Sequence, residues 1–415
     1  MPKFVILGAG RQGICAAYDL TRFHPGTVVL LVDNSDARLR FARARLSLLS
    51  PNSRLELASC DAAHPEELAK FVKPGDVVLS CVPYRLNFAL CEATVALAAH
   101  FCDLGGNTAI VKQELGLHET AKKNGISVVP DCGLAPGLGN TLAAHAIQQF
   151  EAPSSSGLPG GECETIAIYC GGLPQRPQGP LNYHLLFSVE GLINEYTGFA
   201  IELRDGQIVR IPTLTEMEAI TLPGDLGQGE AIVTSGGTST APESFRSRVK
   251  NYSYKTIRYS GHWEKIKAFD ELGFFSADPI ILDDIAAVGE KSAKNESTGR
   301  SKSYEISPRR VTEALFSKNL VHPDGKDLTV LMVKAYGTKN GRPQQLTQTL
   351  LDYFDDVTGF SAMERTTAYP AACVAEMQME GLIAPGAIPL ELSVPPKPFL
   401  SRLAKRGLRI DESWV

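Results

Sequence analysis

The chain opens on Phe4-Val-Ile-Leu7 followed at once by Gly8-Ala-Gly10-Arg-Gln-Gly13, and Asp33 closes the next apolar run, Val28-Val-Leu-Leu-Val32. A strand, a G-x-G-x-x-G turn, a helix and a second strand ending in an acid make the pattern of a dinucleotide-binding βαβ unit. That pattern restricts the first part of the chain to a parallel sheet covered by helices. Each glycine answers a separate requirement: Gly8 the tight turn, Gly10 the approach of backbone to a pyrophosphate, Gly13 the packing of helix on sheet. The helix N-terminus adds unpaired N–H groups and the positive end of a dipole. Arg11 and Gln12, between the glycines, are candidate contacts to the same cofactor. Asp33 follows Gly13 by twenty residues, where an acceptor for a ribose 2′-hydroxyl belongs. A carboxylate repels a 2′-phosphate, so NAD is expected over NADP; Arg38 and Arg40, one turn further on, temper the preference without reversing it.

At 415 residues the chain is long enough for two domains with sizeable cores. A net charge of −5 argues against nucleic acid or an anionic membrane as the main partner. No apolar stretch reaches the ~18 residues of a membrane span, and no basic-then-apolar leader precedes the first strand. The nine cysteines show neither CxxC nor zinc spacing, and Cys15, Cys81 and Cys102 lie in apolar runs. They read as reduced thiols of a cytoplasmic protein. The eight histidines form no ligand pair, so no metal is indicated.

Short apolar runs continue the doubly wound α/β pattern: Arg54–Leu57, Asp76–Val82, Phe101–Leu104 and Ser127–Val129. Ligands of such sheets bind beyond the carboxyl ends of the strands. Those ends carry Asp61, Cys81-Val-Pro-Tyr84, Asp103–Asn107 and Asp131–Gly137. Asp61, Cys81, Val82 and Pro83 are therefore expected beside the cofactor. Residues 1–150 are expected to form this Rossmann domain. A Pro/Ser/Gly-rich linker, Ala152–Gly161, then changes the grammar. Phe199–Arg204 and Gln207–Ile211 flank Asp205-Gly206, and Thr329–Ala335 and Gln344–Leu351 flank Asn340-Gly341; both read as hairpins. Ser307-Pro308 opens a helix, and Lys291–Lys302 reads as a mobile loop. Residues 151–360 are expected to form an α+β domain with a largely antiparallel open sheet, which binds substrate and pairs with a second copy in a homodimer or higher oligomer. Residues 361–415, with a helix around Ala371–Gly381 and a basic arm, are expected to return to the Rossmann domain.

Asp103-Leu-Gly-Gly-Asn107, Asp131-Cys-Gly-Leu-Ala-Pro-Gly137, Gly171-Gly-Leu-Pro174, Thr234–Thr240 and Tyr254–Tyr259 together resemble the saccharopine-dehydrogenase-like superfamily, and most of all its L-lysine 6-dehydrogenase branch. The resemblance runs from Met1 to about Glu391. It implies NAD-dependent oxidative deamination of the ε-amino group of L-lysine to a semialdehyde that cyclises. One departure separates the branches: the saccharopine reductases carry Asp in a Gly-Leu-Asp-Pro-Gly loop, and Ala135 stands there in this chain. Cys170 before Gly171-Gly172 points toward the reductases instead. A saccharopine- or carboxynorspermidine-type enzyme acting on a Schiff base is the alternative, with Arg246 and Arg248 available for a second cationic subsite. A non-catalytic NAD-binding sensor is a third reading, since Rossmann folds host many functions.

Amine oxidation needs a base for the substrate ammonium and a cation for the carboxylate. Asp131, ending a strand at the cleft, is the first candidate for proton handling, or else a cap on the following turn. Tyr183 is a second catalytic candidate, and Glu190 can line the pocket beside it. Arg258, on an alternating strand, suits the substrate carboxylate bidentately, or else forms a surface ion pair; Lys255 and His262 stand behind it. Tyr84 can touch substrate or cofactor, or be a rim tyrosine. Asn107 can donate to the nicotinamide amide, or shape a turn. Thr238 and Thr240 can donate hydroxyls to substrate, or simply build their Gly-rich turn. His184 reads as packing, as does Cys132.

Overall fold

The computed structural model describes residues 1–51, 53–153, 160–282, 304–322 and 324–415. The expected loop 291–302 and most of the linker lie outside them. The first part is the doubly wound unit. Strands β1 (Phe4–Leu7), β2 (Val29–Asp33), β3 (Leu55–Ser59), β4 (Val77–Ser80), β5 (His100–Asp103) and β6 (Ser127–Val129) are all parallel, in the order β6-β5-β4-β1-β2-β3. β1, β2 and β4 are buried at every position, as befits strands covered on both faces. The covering helices are α1 (Arg11–Phe23), α2 (Asp36–Leu49), α3 (Asn87–Ala96), α4 (Thr108–Leu115) and α5 (His118–Lys123); α6 (Gly139–Glu151) follows and packs instead on the second sheet. β1 and β4 lie side by side while the chain runs outward from each in opposite directions, so a crevice opens at their carboxyl ends.

The second part is built on a nine-stranded sheet. Its elements are β7 (Glu162–Pro174), α7 (Val189–Tyr196), β8 (Phe199–Arg204), β9 (Gln207–Pro212), β10 (Glu218–Thr221), β11 (Gln228–Val233), α8 (Ala241–Ser244), β12 (Asn251–Tyr259), α9 (His262–Glu271), the small pair β13 (Ile280–Leu282) and β14 (Tyr304–Ile306), α10 (Pro308–Asn319), β15 (Asp327–Lys339) and β16 (Arg342–Tyr353). All pairings in the large sheet are antiparallel except that of β12 with β7. Both expected hairpins form. Asp205 and Gly206, and Asn340 and Gly341, all take positive φ, as a two-residue type I′ turn demands. The second hairpin is longer than the sequence suggests, pairing Leu328 through Lys339 with Arg342 through Tyr353.

The chain then returns. α11 (Ala362–Met379) packs on α1, and β17 (Gly386–Ala387) adds a seventh strand beside β6. α12 (Leu390–Ser393) and α13 (Pro396–Lys405) follow, and β18 (Asp411–Trp414) ends the chain on the edge of the large sheet beside β16. One apolar core, with α6 and α11 at its centre, runs from the underside of the Rossmann sheet to the face of the second sheet. Both sheets are therefore held to one body by this shared core. Among the described residues no helix is long and apolar enough to cross a membrane.

Candidate active site

Gly8, Asp33, Arg38, Asp61 and Arg85 line a cavity of about 420 Å³ at the carboxyl ends of β1, β2 and β4, with Cys81, Val82 and Pro83 along its wall. The three glycines behave differently there. Gly8 takes φ +100°, and a Cβ on it would come within 3.0 Å of the Cys81 carbonyl oxygen. On Gly13 a Cβ would lie 1.8 Å from the Gly8 carbonyl oxygen, so α1 meets the turn with no room for a side chain. Around Gly10 nothing lies within 4 Å, which leaves an open backbone face at the start of α1. An open face at a helix N-terminus beside a cavity is what a pyrophosphate requires, so the residues present fit a pyridine dinucleotide.

The acid at the end of β2 plays a structural part as well. Asp33 Oδ2 accepts from the Ala9 N–H at 2.8 Å and Oδ1 from the Ser35 N–H at 2.8 Å, so the carboxylate fixes the glycine turn to the start of α2. Arg38 Nη1 stands 3.8 Å from Oδ2. The side chains of Arg11 and Gln12, two expected cofactor contacts, point elsewhere. The Arg11 side chain reaches away from the turn to Glu364 Oε1 (2.7 Å) and to the Leu186 carbonyl (3.2 Å). Gln12 Nε2 likewise lies 3.5 Å from the Met363 carbonyl. Both side chains tie α1 to the N-terminus of α11, leaving the dinucleotide to the backbone.

A second group of residues faces the first across the crevice. Tyr84, just past β4, lies 3.5 Å through its hydroxyl from Glu190 Oε1, and Asn194 Nδ2 approaches the same hydroxyl at 3.5 Å. Tyr84 also abuts Gly106, where φ is +118°. Ser188 caps α7 through the Gly191 N–H, which sets Glu190, Asn194 and Glu195 along that helix. Asn107 is a helix cap: its Oδ1 accepts from the Ala109 and Ile110 N–H groups at 3.0 and 3.2 Å, in place of the expected nicotinamide contact.

Arg258 is neither on the surface nor in an ion pair of ordinary length. It is 2% exposed, with Glu195 Oε2 3.8 Å from Nη2, and its Nε has no partner among the described residues. Its guanidinium carbon lies 4.7 Å from the Tyr183 ring centre and 5.5 Å from that of Trp263, a cation–π enclosure. Tyr183 is buried and its hydroxyl is likewise unpartnered. Burial pushes Glu195 up to about 7 against the opposing pull of Arg258. The runners-up are engaged elsewhere: Lys255 holds the Glu216 carbonyl and Glu218, and His262, pushed down to about 3 by burial and then by Arg258, meets the Leu181 carbonyl. Arg248 pairs with Glu151 and Arg246 with the Gly206 carbonyl and Gln207, so neither supplies a second cationic subsite in the crevice.

Asp131 follows β6 with φ +64° and is 3% exposed. It does not cap the following turn. The Ser239 hydroxyl donates to its Oδ2 in a very short bond, while Oδ1 is unpartnered and lies directly behind Gly105. A Cβ on Gly105 would be 2.1 Å from that oxygen. Burial first, then the charge of Asp103, pushes the carboxyl up to about 8, with the Ser239 bond opposing. A carboxyl that exchanges a proton near neutrality is suited to general acid–base work. Of the two expected hydroxyls of this loop, that of Thr238 donates to the Ile201 carbonyl at 2.7 Å and that of Thr240 to Glu391. Gly237 allows this loop to lie on Tyr254, whose ring would be 2.4 Å from a Cβ there. Sequence reasoning missed Ser239, Glu195, Asn194 and Glu391, which come from segments remote from the strand ends. It had a signal for Glu364 in the capping pattern Ser361-x-x-Glu364.

The profile of the Saccharopine dehydrogenase NADP binding domain matches residues 4–129, and that of the Saccharopine dehydrogenase C-terminal domain matches residues 133–408. The saccharopine dehydrogenase (NADP(+), L-glutamate-forming) of Schizosaccharomyces pombe is 24% identical, over 100% of this chain and 99% of that protein. The enzyme of the same name from Pyricularia oryzae is 24% identical, over 78% of this chain and 80% of its own length. Among solved structures, apo saccharopine dehydrogenase (L-Glu forming) from Saccharomyces cerevisiae superposes with a TM-score of 0.75 at 21% identity, covering 100% of both chains. At that identity the likeness bears on the fold.

Proposed function

The chain belongs to the saccharopine dehydrogenase family, and from that premise we propose that it is an NAD-dependent oxidoreductase that deaminates the ε-carbon of L-lysine. The observation that supports the reading is the balance of charged groups beyond the cofactor cavity. One buried guanidinium, Arg258, has a free Nε and stands 3.8 Å from Glu195, while Glu190 lies beside Tyr84 and Asp131 beside Ser239, so carboxyls outnumber cations among these groups. Lysine brings one carboxylate and two ammonium groups, which complements such a set; saccharopine brings three carboxylates and would need cations that Arg246 and Arg248 do not offer.

Bound dinucleotide supplies the hydride acceptor. The chain's own residues do the rest. The Gly10 backbone and the α1 N-terminus would hold the pyrophosphate, and Asp33 with Asp61 would border the adenosine ribose. Arg258 would bind the substrate carboxylate, with Tyr183 and Trp263 excluding water around it. Asp131 Oδ1 would take the proton of the ε-ammonium so that a neutral amine reacts. Loss of hydride from the ε-carbon leaves an iminium. Water converts it to 2-aminoadipate 6-semialdehyde and ammonium, and the semialdehyde closes to piperideine-6-carboxylate.

NAD rather than NADP is supported by the two carboxylates, Asp33 and Asp61, on the ribose cavity; Arg38 and Arg85 on the same cavity leave some use of NADP expected. A second reading, oxidation or reduction at a saccharopine-type secondary amine, is favoured by the names of the relatives that match along the whole chain. Initial rates of nicotinamide reduction with L-lysine, ornithine and saccharopine, each with NAD and NADP, separate the two. The expected result is fastest turnover of lysine with NAD. Silence with lysine and turnover of saccharopine would replace it by the second reading, and nucleotide binding without turnover of any amine would leave a sensor.

A further inference from the structure

Three carboxyls lie one behind another beneath the floor of the crevice: Asp131 after β6, Asp103 at the end of β5 and Glu114 on α4. They are 3%, 1% and 0% exposed. Asp103 Oδ1 accepts from the Gly105 N–H at 2.6 Å and from the Asp131 N–H at 3.1 Å, and the Asp103 carbonyl accepts from the Cys132 N–H at 2.7 Å. Asp103 therefore fixes the backbone on both sides of Asp131. Its carboxyl lies within side-chain hydrogen-bond reach of that of Glu114. If both groups were ionised, Asp103 Oδ2 and both Glu114 oxygens would have no donor among the described residues. One proton on Glu114 makes one of these oxygens a donor to Asp103 and leaves a single acceptor unmatched.

The surroundings offer no other way to neutralise the charge. The groups that bear on the three carboxyls are Cys81 just past β4, Cys91 on α3, Cys132, Glu391 on α12 and the Ser239 hydroxyl; among the described residues no lysine, arginine or histidine is one of them. We propose that Glu114 stays protonated and donates to Asp103, and that this carboxylic acid–carboxylate pair is a positioning device that holds one negative charge, and one backbone geometry, behind Asp131. The inference rests on Asp131 being the proton-handling group.

The distribution of the proton follows from the donors. Asp103, with two N–H groups and one O–H directed at it, is the member of the set that best tolerates a charge. Glu114 has no N–H donor and keeps its proton; burial and the charge of Asp103 push it up to about 11. Asp131, with one hydroxyl donor and a charged neighbour, falls between the two. Glu114 thus prevents a second negative charge from forming beside Asp103, and Asp103 keeps Asp131 from ionising too early.

Infrared difference spectra of the full-length protein between pH 5 and 9 test the pair without reference to turnover. A carboxylic-acid C=O band that persists at pH 9 is expected in the wild type and absent in Glu114→Gln, and a second band, lost on going from pH 7 to 9, is expected to vanish in Asp131→Asn. A persistent band unchanged by Glu114→Gln would overturn the proposal. Asp103→Asn should move the loss of the Asp131 band, and with it the acid limb of kcat/KM, down by about one pH unit, a tenfold change in proton affinity. A folded Asp103→Asn protein with neither feature moved would also overturn it. The infrared bands decide the matter even if no amine is turned over, so failure of the pair and failure of the lysine reading remain distinguishable.

Discussion

Asp131 combines a positive φ, a buried carboxyl and an oxygen without a partner. Such a combination costs stability and persists where function holds it in place. A carboxyl pushed up to about 8 keeps its proton in the folded chain at pH values where the unfolded chain, near 4, has lost it. The folded state then binds more protons, and stability falls as pH rises from about 4 to 8. Asp131→Asn removes the penalty and retains an acceptor for Ser239. The variant is expected to gain about 1–3 kcal/mol over wild type at pH 8 and little at pH 5, measured by urea unfolding. Its kcat is expected to fall by at least about 100-fold. A stability difference independent of pH would contradict the protonation assigned to this residue. In the sequence Asp131 was recognisable by type and by its place after an apolar strand. Ser239 was not, because nothing local in Ser-Gly-Gly-Thr-Ser-Thr says which hydroxyl crosses to a residue 108 positions away.

At the scale of elements, the strand–turn–helix at the N-terminus separates packing from binding within six residues. Gly13→Ala forces a Cβ against the Gly8 carbonyl and is expected to cost about 1–3 kcal/mol of stability. Gly10→Ala meets open space, so Tm should stay at the wild-type value while nucleotide affinity, read by fluorescence titration of reduced NAD, falls at least about tenfold. Equal loss of stability in both variants would show that Gly10 serves the fold and not a ligand. The βαβ unit was legible because its signals are local: buried runs of four or five residues, glycines at fixed offsets, an acid at the next strand end. The two type I′ hairpins were legible for the same reason. α11 was legible only in its second half: a helix was expected around Ala371–Gly381, whereas it starts at Ala362 and runs through Pro370. Its start is set by Ser361 and Glu364 in a capping box and by Asp327, which accepts from the Ala362 and Met363 N–H groups. Asp327 belongs to a strand far away in sequence.

At the scale of the molecule, the return of the chain after β16 makes the two sheets one body. Arg406, 7% exposed, grips Asp19 of α1 through Nε at 2.8 and 2.9 Å and Glu376 of α11 through Nη2 at 2.7 Å, while Arg402 joins Glu376 to Glu380. Arg406→Met leaves Asp19 buried without its partner and is expected to cost about 3–5 kcal/mol near neutral pH. Asp19, already pushed up to about 6, gains its proton in acid, so the cost should shrink at pH 5. A thermal scan at both pH values checks this. The sequence predicted a basic arm but not that Arg406 within it is buried, since the acids it meets lie on α1 and α11. The pairing of β7 with β15, more than 150 residues apart, was equally invisible to local periodicity. The central claim concerns which bond the assembled crevice breaks, and L-lysine labelled with ¹⁵N at the ε-nitrogen addresses it most directly. Incubated with NAD, the protein should release labelled ammonium in one-to-one ratio with reduced NAD and leave an unlabelled cyclic imine. Label retained in the product, or no reduction with lysine while saccharopine is oxidised, would contradict it.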